Sequence, residues 1–166
     1  MDAETLKTLQ APLKAKYQEN PEAAVITLKA SGELGSEQLV CSVETGKALV
    51  EAGLHPATGG NGTQACSGDM LLQALVACAG VTLAAVATAL EIDLKGGRVH
   101  AEGDLDFRGT LGVDKKVPVG FRDIRLSFDL DTDADGEKIA TLMKLTERYC
   151  VVYQTLISPP PVTVSH

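Results

Sequence analysis

Two cysteines have neighbours and spacing that could support thiol chemistry. Cys78 lies in the run Met70–Leu90 (MLLQALVACAGVTLAAVATAL), which holds no charged residue, and Cys150 lies in TERYCVVYQTL, where two amphipathic stretches meet. A thiolate attacks electrophilic oxygen or sulfur, and a second thiol in reach captures the oxidised sulfur as a disulfide. Core packing is the competing use, because free cysteine is among the most buried side chains. On an ideal helix Cys78 shares its face with Leu71, Ala74, Leu75, Val81, Thr82 and Ala85, none of them charged. Apolar surroundings raise a thiol pKa, so that helix alone makes Cys78 a small buried hydrophobe. Cys150 follows Glu147, Arg148 and Tyr149. If a second helix opens there, its N-terminus and Arg148 both favour the thiolate.

Other constellations fall short of a site. Asp131, Asp133, Asp135 and Gly136 match the first half of a calcium loop, but Leu142 occupies the position of the bidentate glutamate. Asp135 serves equally as a helix cap. No CxxC exists and His55, His100 and His166 lie far apart, so no zinc site is expected. Gly59–Gly62 lacks the lysine and spacing of a phosphate loop, and no G-x-S-x-G elbow is present. We expect neither a metal nor a cofactor.

The elements that must position the thiols follow from periodicity and composition. With 45% hydrophobic and 22% charged residues in 166, the chain is a folded protein whose length fits one domain, residues 1–166. A net charge of -7 repels polyanions, so nucleic acid is excluded as a partner. Residues 1–19 read as an amphipathic surface helix, with no secretory segment, and the irregularly spaced cysteines fit a reducing cytoplasm. Residues 20–50 read as strands: Ala24–Ala30 and Gln38–Glu44 about a turn at Ser31–Ser36, with 45–50 as strand or turn. Gly53–Gly68 is a loop. Residues 67–91 form the central helix, with Ser67 as its N-cap and Asp69 in its first turn. Strands follow in 97–131, as Arg98–Arg108 and Gly120–Asp131 joined by a link at Gly109–Pro118. Helices occupy 135–157, with Ile139, Leu142, Met143 and Leu145 buried, and SPPPVTVSH turns into a last strand. This order argues an α+β fold, antiparallel or mixed sheets around a long buried helix. That helix is as long as a membrane span, but Gln73, Thr82 and Thr88 and its acidic flanks argue for a core helix. It is too apolar for one small chain to cover, so a second subunit is expected and no membrane.

Together, SGDMLLQALVACAGVTL and TERYCVVYQTL resemble the OsmC/Ohr family of hydroperoxide-reducing proteins, in which one cysteine lies on the central helix and another opens a C-terminal helix as C-P-V-x-x-x-L. Cys150–Leu156 matches that pattern except for Val151 in place of proline. GDLDFRGTLG and PPVTV look like the family's strands, and the resemblance runs from about Gly59 to the C-terminus. It implies an intertwined α+β homodimer with sites at the subunit interface. It also implies a peroxidatic Cys78, a resolving Cys150, an organic hydroperoxide as substrate, and regeneration by a dithiol reductant, often a lipoylated protein. Peroxidatic members pair an N-terminal Arg with a Glu at the start of the central helix. This chain has no Arg before Arg98 and offers Asp69 near the Glu position. Arg148, Lys47 and His55 are then the candidates to hold the thiolate. A rival function keeps the fold as a non-catalytic dimer that binds a small lipophilic ligand at its interface, and a third is another thiol reaction on the same pair.

Overall fold

Helical and alternating patterns succeed one another along the chain, and the elements follow them. The computed structural model describes residues 2–5, 8, 10, 11, 19, 32–34, 40–44, 49–112 and 114–166, with the backbone alone for 32–34, 40–44 and 49. Of the N-terminal helix, residues 3–5, 8, 10 and 11 are helical, and Asp2 caps their start by accepting the Thr5 N–H at 2.7 Å. The strand expected at Ala24–Ala30 lies outside the described residues, as does Lys47.

Strands β1 (Gly32–Leu34), β2 (Val40–Glu44) and β3 (Leu49–Gly53) form an antiparallel sheet in that order. Leu34 pairs with Cys41, and Val43 with Val50. A short turn at Pro56–Thr58 leads to the long helix α1 (Ser67–Ala89). Then come β4 (Gly96–Asp104), the single helical turn α2 (Phe107–Thr110), β5 (Asp123–Asp131), α3 (Gly136–Tyr149) and α4 (Val151–Ile157). Strands β4 and β5 form a second sheet. The Lys95 N–H donates to Asp131 and the Arg122 N–H to Asp104, so these strands run antiparallel. The fold is α+β, with antiparallel sheets and one long helix, as the pattern argued.

Contacts gather into two compact units: Met1–Ile26, Ala74–His100 and Leu126–His166 in one, Thr27–Gln73 and Ala101–Arg125 in the other. The core of the first is built from Leu83, Val86 and Ala87 of α1, Ile92 after it, and Leu142 of α3, with Phe128 and Leu130 of β5 packed against them. Helix α1 is long and apolar enough to cross a bilayer, at a mean hydropathy of 2.1. Its Leu75, Ala79, Leu83, Val86 and Ala87 are instead buried by protein. A single chain covers only that side: Ala74, Ala77, Val81 and Ala84 stay exposed, Val81 at 73%. In the second unit, Arg125 gathers Asp104, Asp123 and Glu102 at 2.6, 2.8 and 3.4 Å.

Several boundaries differ from expectation for local reasons. The Cys66 carbonyl, not Ser67, takes the N-cap position of α1, accepting the Met70 N–H at 3.0 Å. The helix ends at Ala89 and not at Glu91. Glu91 turns left-handed (φ 54), and its N–H and that of Ile92 donate back to Thr88 and Ala87, which closes the end and drives Ile92 into the core. Gly32–Leu34 is strand where a turn was expected, because ladder bonds to β2 outweigh local turn preference. Strand β4 stops at Asp104, short of Arg108, because Asp106 caps α2 by accepting the Arg108 N–H at 3.2 Å. The Arg108 guanidinium beside it holds the Asp106 carboxyl down at about 2. Gly109, expected in an open link, lies against chain: a Cβ there would meet the Pro118 carbonyl oxygen at 2.7 Å. No strand forms in SPPPVTVSH. Three prolines remove ladder donors, and Val162 and Val164 stand free in solvent. Thr146 is buried on α3 where the pattern favoured only apolar positions.

Candidate active site

A helix buries what recurs every three to four residues. Helix α3 carries Leu142 and Thr146 on its buried stripe, and Cys150 continues it one turn further, all three at most 2% exposed. The stripe meets α1, and Cys78 reaches the junction where α3 gives way to α4. Cys150 is that junction. Its N–H donates to the Thr146 carbonyl at 2.9 Å, which ends α3, and its own carbonyl accepts the Gln154 N–H at 2.9 Å, which starts α4. Its backbone is extended between the two (φ -73, ψ 108).

The first amides of a helix have no carbonyl partner within it. Here they turn to sulfur. The Val151 and Val152 N–H groups donate to Cys78, and those of Tyr153 and Val152 to Cys150. The two thiols are close enough to shift each other's ionisation, and neither is in a disulfide.

This geometry splits the pair. Burial pushes Cys78 up, but the Val152 amide, the Cys150 thiol, the Val151 amide and the Thr82 hydroxyl together hold it below an ordinary thiol. Burial also pushes Cys150 up. The Tyr153 amide opposes this, the Cys78 sulfur reinforces it, and the outcome is a thiol that keeps its proton. Cys78 is thus the better thiolate and Cys150 the S–H that supports it.

The other described candidates have contacts of their own. The Arg148 guanidinium stands over the Tyr149 ring, 5.8 Å from its centre. Asp69 sits nine residues before Cys78, about 13 Å along the helix axis. It lines a cavity of about 340 Å³ with His55, Cys66, Leu72, Phe107 and Phe121. His55 is committed there: its Nδ1 accepts the Ala57 N–H at 3.0 Å, and its ring stacks on Phe107 at 4.9 Å. Of the acids in the calcium-like run, Asp135 caps α3 by accepting the Lys138 N–H at 2.8 Å, and Asp133 pairs with Lys95. Among the described residues no group of three His, Cys, Asp or Glu side chains is placed to hold a metal ion. The start of α4 was expected to favour a Cys150 thiolate; Cys150 is instead pushed up, and the Val151 and Val152 amides lower Cys78. The signal for those amides was present, since two non-proline residues follow Cys150 at a helix start.

Residues 60–165 match the protein family described as OsmC-like protein. Among solved structures the chain is similar to an OsmC-like protein from Mycoplasma pneumoniae (TM-score 0.67, 16% identity, covering 81% of this chain and 89% of that one). It is similar to an organic hydroperoxide resistance protein from Elizabethkingia anophelis (0.64, 15%, 81% and 91%). A third is an organic hydroperoxide resistance protein OsmC from Legionella pneumophila (0.62, 16%, 81% and 91%). At these identities the likeness is one of fold. No curated sequence matches at a significant level.

Proposed function

The chain belongs to the OsmC-like protein family, and we propose that it is a thiol-dependent reductase of organic hydroperoxides, serving in peroxide-stress defence. What supports this reading is the juxtaposition of two free cysteines at the start of α4, with Cys78 lowered by two backbone amides and by the Cys150 thiol. The Cys78 thiolate attacks the terminal oxygen of the hydroperoxide. An S–O bond forms, the O–O bond breaks, and the alkoxide leaves and takes up a proton to become the alcohol. Cys150 then attacks the sulfur of the Cys78 sulfenic acid, closing a disulfide and releasing water. An external dithiol reduces that disulfide by exchange and is itself oxidised. A lipoylated protein is one such dithiol. The amides of α4 take the part for which Arg148, Lys47 and His55 were candidates.

The protein acts as a homodimer in the cytoplasm. Its support is the uncovered stripe of Ala74, Ala77, Val81 and Ala84 on α1, an apolar face that a second copy would remove from water.

Fully reduced protein treated with one equivalent of an alkyl hydroperoxide tests the reading. Rapid loss of two thiols with a Cys78–Cys150 link on peptide mapping is expected, and Cys78→Ser should be inert. Survival of every thiol would sink the peroxidase and leave the ligand-binding dimer.

A further inference from the structure

Threonines inside helices usually satisfy their hydroxyls by donating to the carbonyl one turn back. Three among the described residues do so: Thr88 to Ala84 at 2.8 Å, Thr141 to Glu137 at 3.0 Å and Thr155 to Val151 at 2.8 Å. All three hydroxyls are in exposed settings, where water would have served as well. Thr146 breaks the pattern. It is only 2% exposed, and its Oγ1 has no hydrogen-bond partner among the described residues. A buried polar group without a partner is costly, and valine would fill the same volume without that cost.

The position of Thr146 supplies a reason. It precedes Cys150 by one helical turn, and the Cys150 N–H donates to its carbonyl at 2.9 Å. Side chains so spaced have Cβ atoms about 5–6 Å apart, within reach of a hydroxyl-to-sulfur contact. In the resting pair Cys150 is a neutral thiol, and neutral sulfur is a weak acceptor that offers the hydroxyl little. Ionised sulfur is a strong one.

We propose that the Thr146 hydroxyl is kept for the ionised Cys150 sulfur, donating to it in the step that closes the disulfide. The place of this contact in a catalytic cycle rests on the hydroperoxide reading above; the pairing of Thr146 with Cys150 thiolate does not. In that step Cys150 gives up its proton and its thiolate attacks the Cys78 sulfenic sulfur. The S–S bond forms, the S–O bond breaks, and the departing hydroxide takes the proton and leaves as water. Once Cys78 carries oxygen it is no longer the anion that shared the Cys150 proton. Cys150 must then ionise while 1% exposed, and a hydroxyl donor lowers that barrier. Cys78 on α1 is the titratable group in contact with Cys150. Glu147, Arg148 and Tyr149, its neighbours on α3, are exposed, and Tyr153 on α4 meets it through the backbone amide.

The test compares the parent with Thr146→Val and Thr146→Ser. Thr146→Val should fold with an equal or higher melting temperature, since it removes the orphaned hydroxyl. In a Cys78→Ser background, alkylation of Cys150 by iodoacetamide, followed across pH by peptide mapping, should slow about three- to tenfold below the Cys150 pKa in Thr146→Val, after the higher reactivity of the more basic thiolate is allowed for. Thr146→Ser should restore it. With Cys78 present and one equivalent of alkyl hydroperoxide, the sulfenic acid trapped by dimedone should persist about tenfold longer in Thr146→Val, its rate of formation unchanged. Parental Cys150 alkylation in Thr146→Val would overturn the proposal. If alkylation responds as expected but no protein forms a sulfenic acid, the pairing stands and the hydroperoxide reading falls instead.

Discussion

Replacing Val151 by proline removes one of the two amides that donate to Cys78 and disturbs little else. Val151 is the first residue of α4, where proline is favoured and where the N–H has no helical partner to lose. A proline also requires the residue before it to be extended, and Cys150 already is, at φ -73 and ψ 108. The variant should therefore fold normally, at a stability equal to the parent or slightly above it. A hydrogen bond to a charged group contributes about 1.5–3 kcal/mol. Cys78 is half-buried, so water replaces part of a lost donor, and a loss of about 1.4 kcal/mol, or about one pKa unit, is the working figure. Raising the pKa by that much cuts the thiolate about tenfold at pH values below it. The remaining thiolate is more basic, and with a Brønsted slope of about 0.4–0.5 each is about threefold more reactive. Val151→Pro should then react about threefold slower than the parent at pH below the Cys78 pKa, and about threefold faster well above it. The assay is the rate of Cys78 with a small aromatic disulfide across pH, in a Cys150→Ser background so that one of the pair titrates, with the Cys78 peptide read by mass spectrometry. The two profiles must cross. Superimposable profiles, or a uniform slowing at all pH, would show that the Val151 amide does not set the ionisation of Cys78.

Two further substitutions probe the frame around the pair. Leu142→Ala empties a fully buried site among Leu83, Val86, Ala87 and Ile92 and should cost about 2–5 kcal/mol. It would be seen as a lower denaturation midpoint at unchanged slope, and a cost below about 1 kcal/mol would mean this core is not as packed as its burial implies. Val81→Glu places a charge on the uncovered stripe of α1, where Val81 is 73% exposed in one chain, so it should leave folding intact but yield monomers in sedimentation. A dimer that persists with the glutamate would mean the partner covers some other face.

Local signals made much of this legible in the sequence. The charge-free run over α1, the Asp135 cap of α3 and the two cysteines each announced themselves within a few residues. Thr82 stood on the Cys78 face at helical spacing, and the structure uses its hydroxyl on that sulfur. What stayed hidden depends on contacts between distant parts of the chain. Cys78 and the Val151 and Val152 amides are more than seventy residues apart, and only the packing of α1 on α3 brings them together. Backbone amides carry no sequence label, whereas Arg148, Lys47 and His55 are visible in the sequence as groups that could face a thiolate. The end of β4 turned on a single side chain: Asp106 accepts the Arg108 N–H, and alternation continued past a point where a cap had already bent the chain. The C-terminal valines have the alternation of a strand but no strand beside them among the described residues to complete it.

On the proposed hydroperoxide reading, the order of attack in the pair follows from where each sulfur can hold charge. A thiolate needs donors and some access to water, and Cys78 has both: two amides, a hydroxyl, a thiol and a half-open position. Cys150 shares one of those amides and has one more, yet it is sealed at 1% exposure beside the other sulfur, so two negative charges there would repel at close range. The proton therefore stays on Cys150 while Cys78 is an anion, and in the proposed cycle it would become available once oxygen transfer had neutralised Cys78. Exchanging the environments would exchange the roles. Val151, where the C-P-V pattern has proline, supplies a donor that the pattern lacks. The crossing profiles of Val151→Pro would measure how much of the missing cation that one amide replaces.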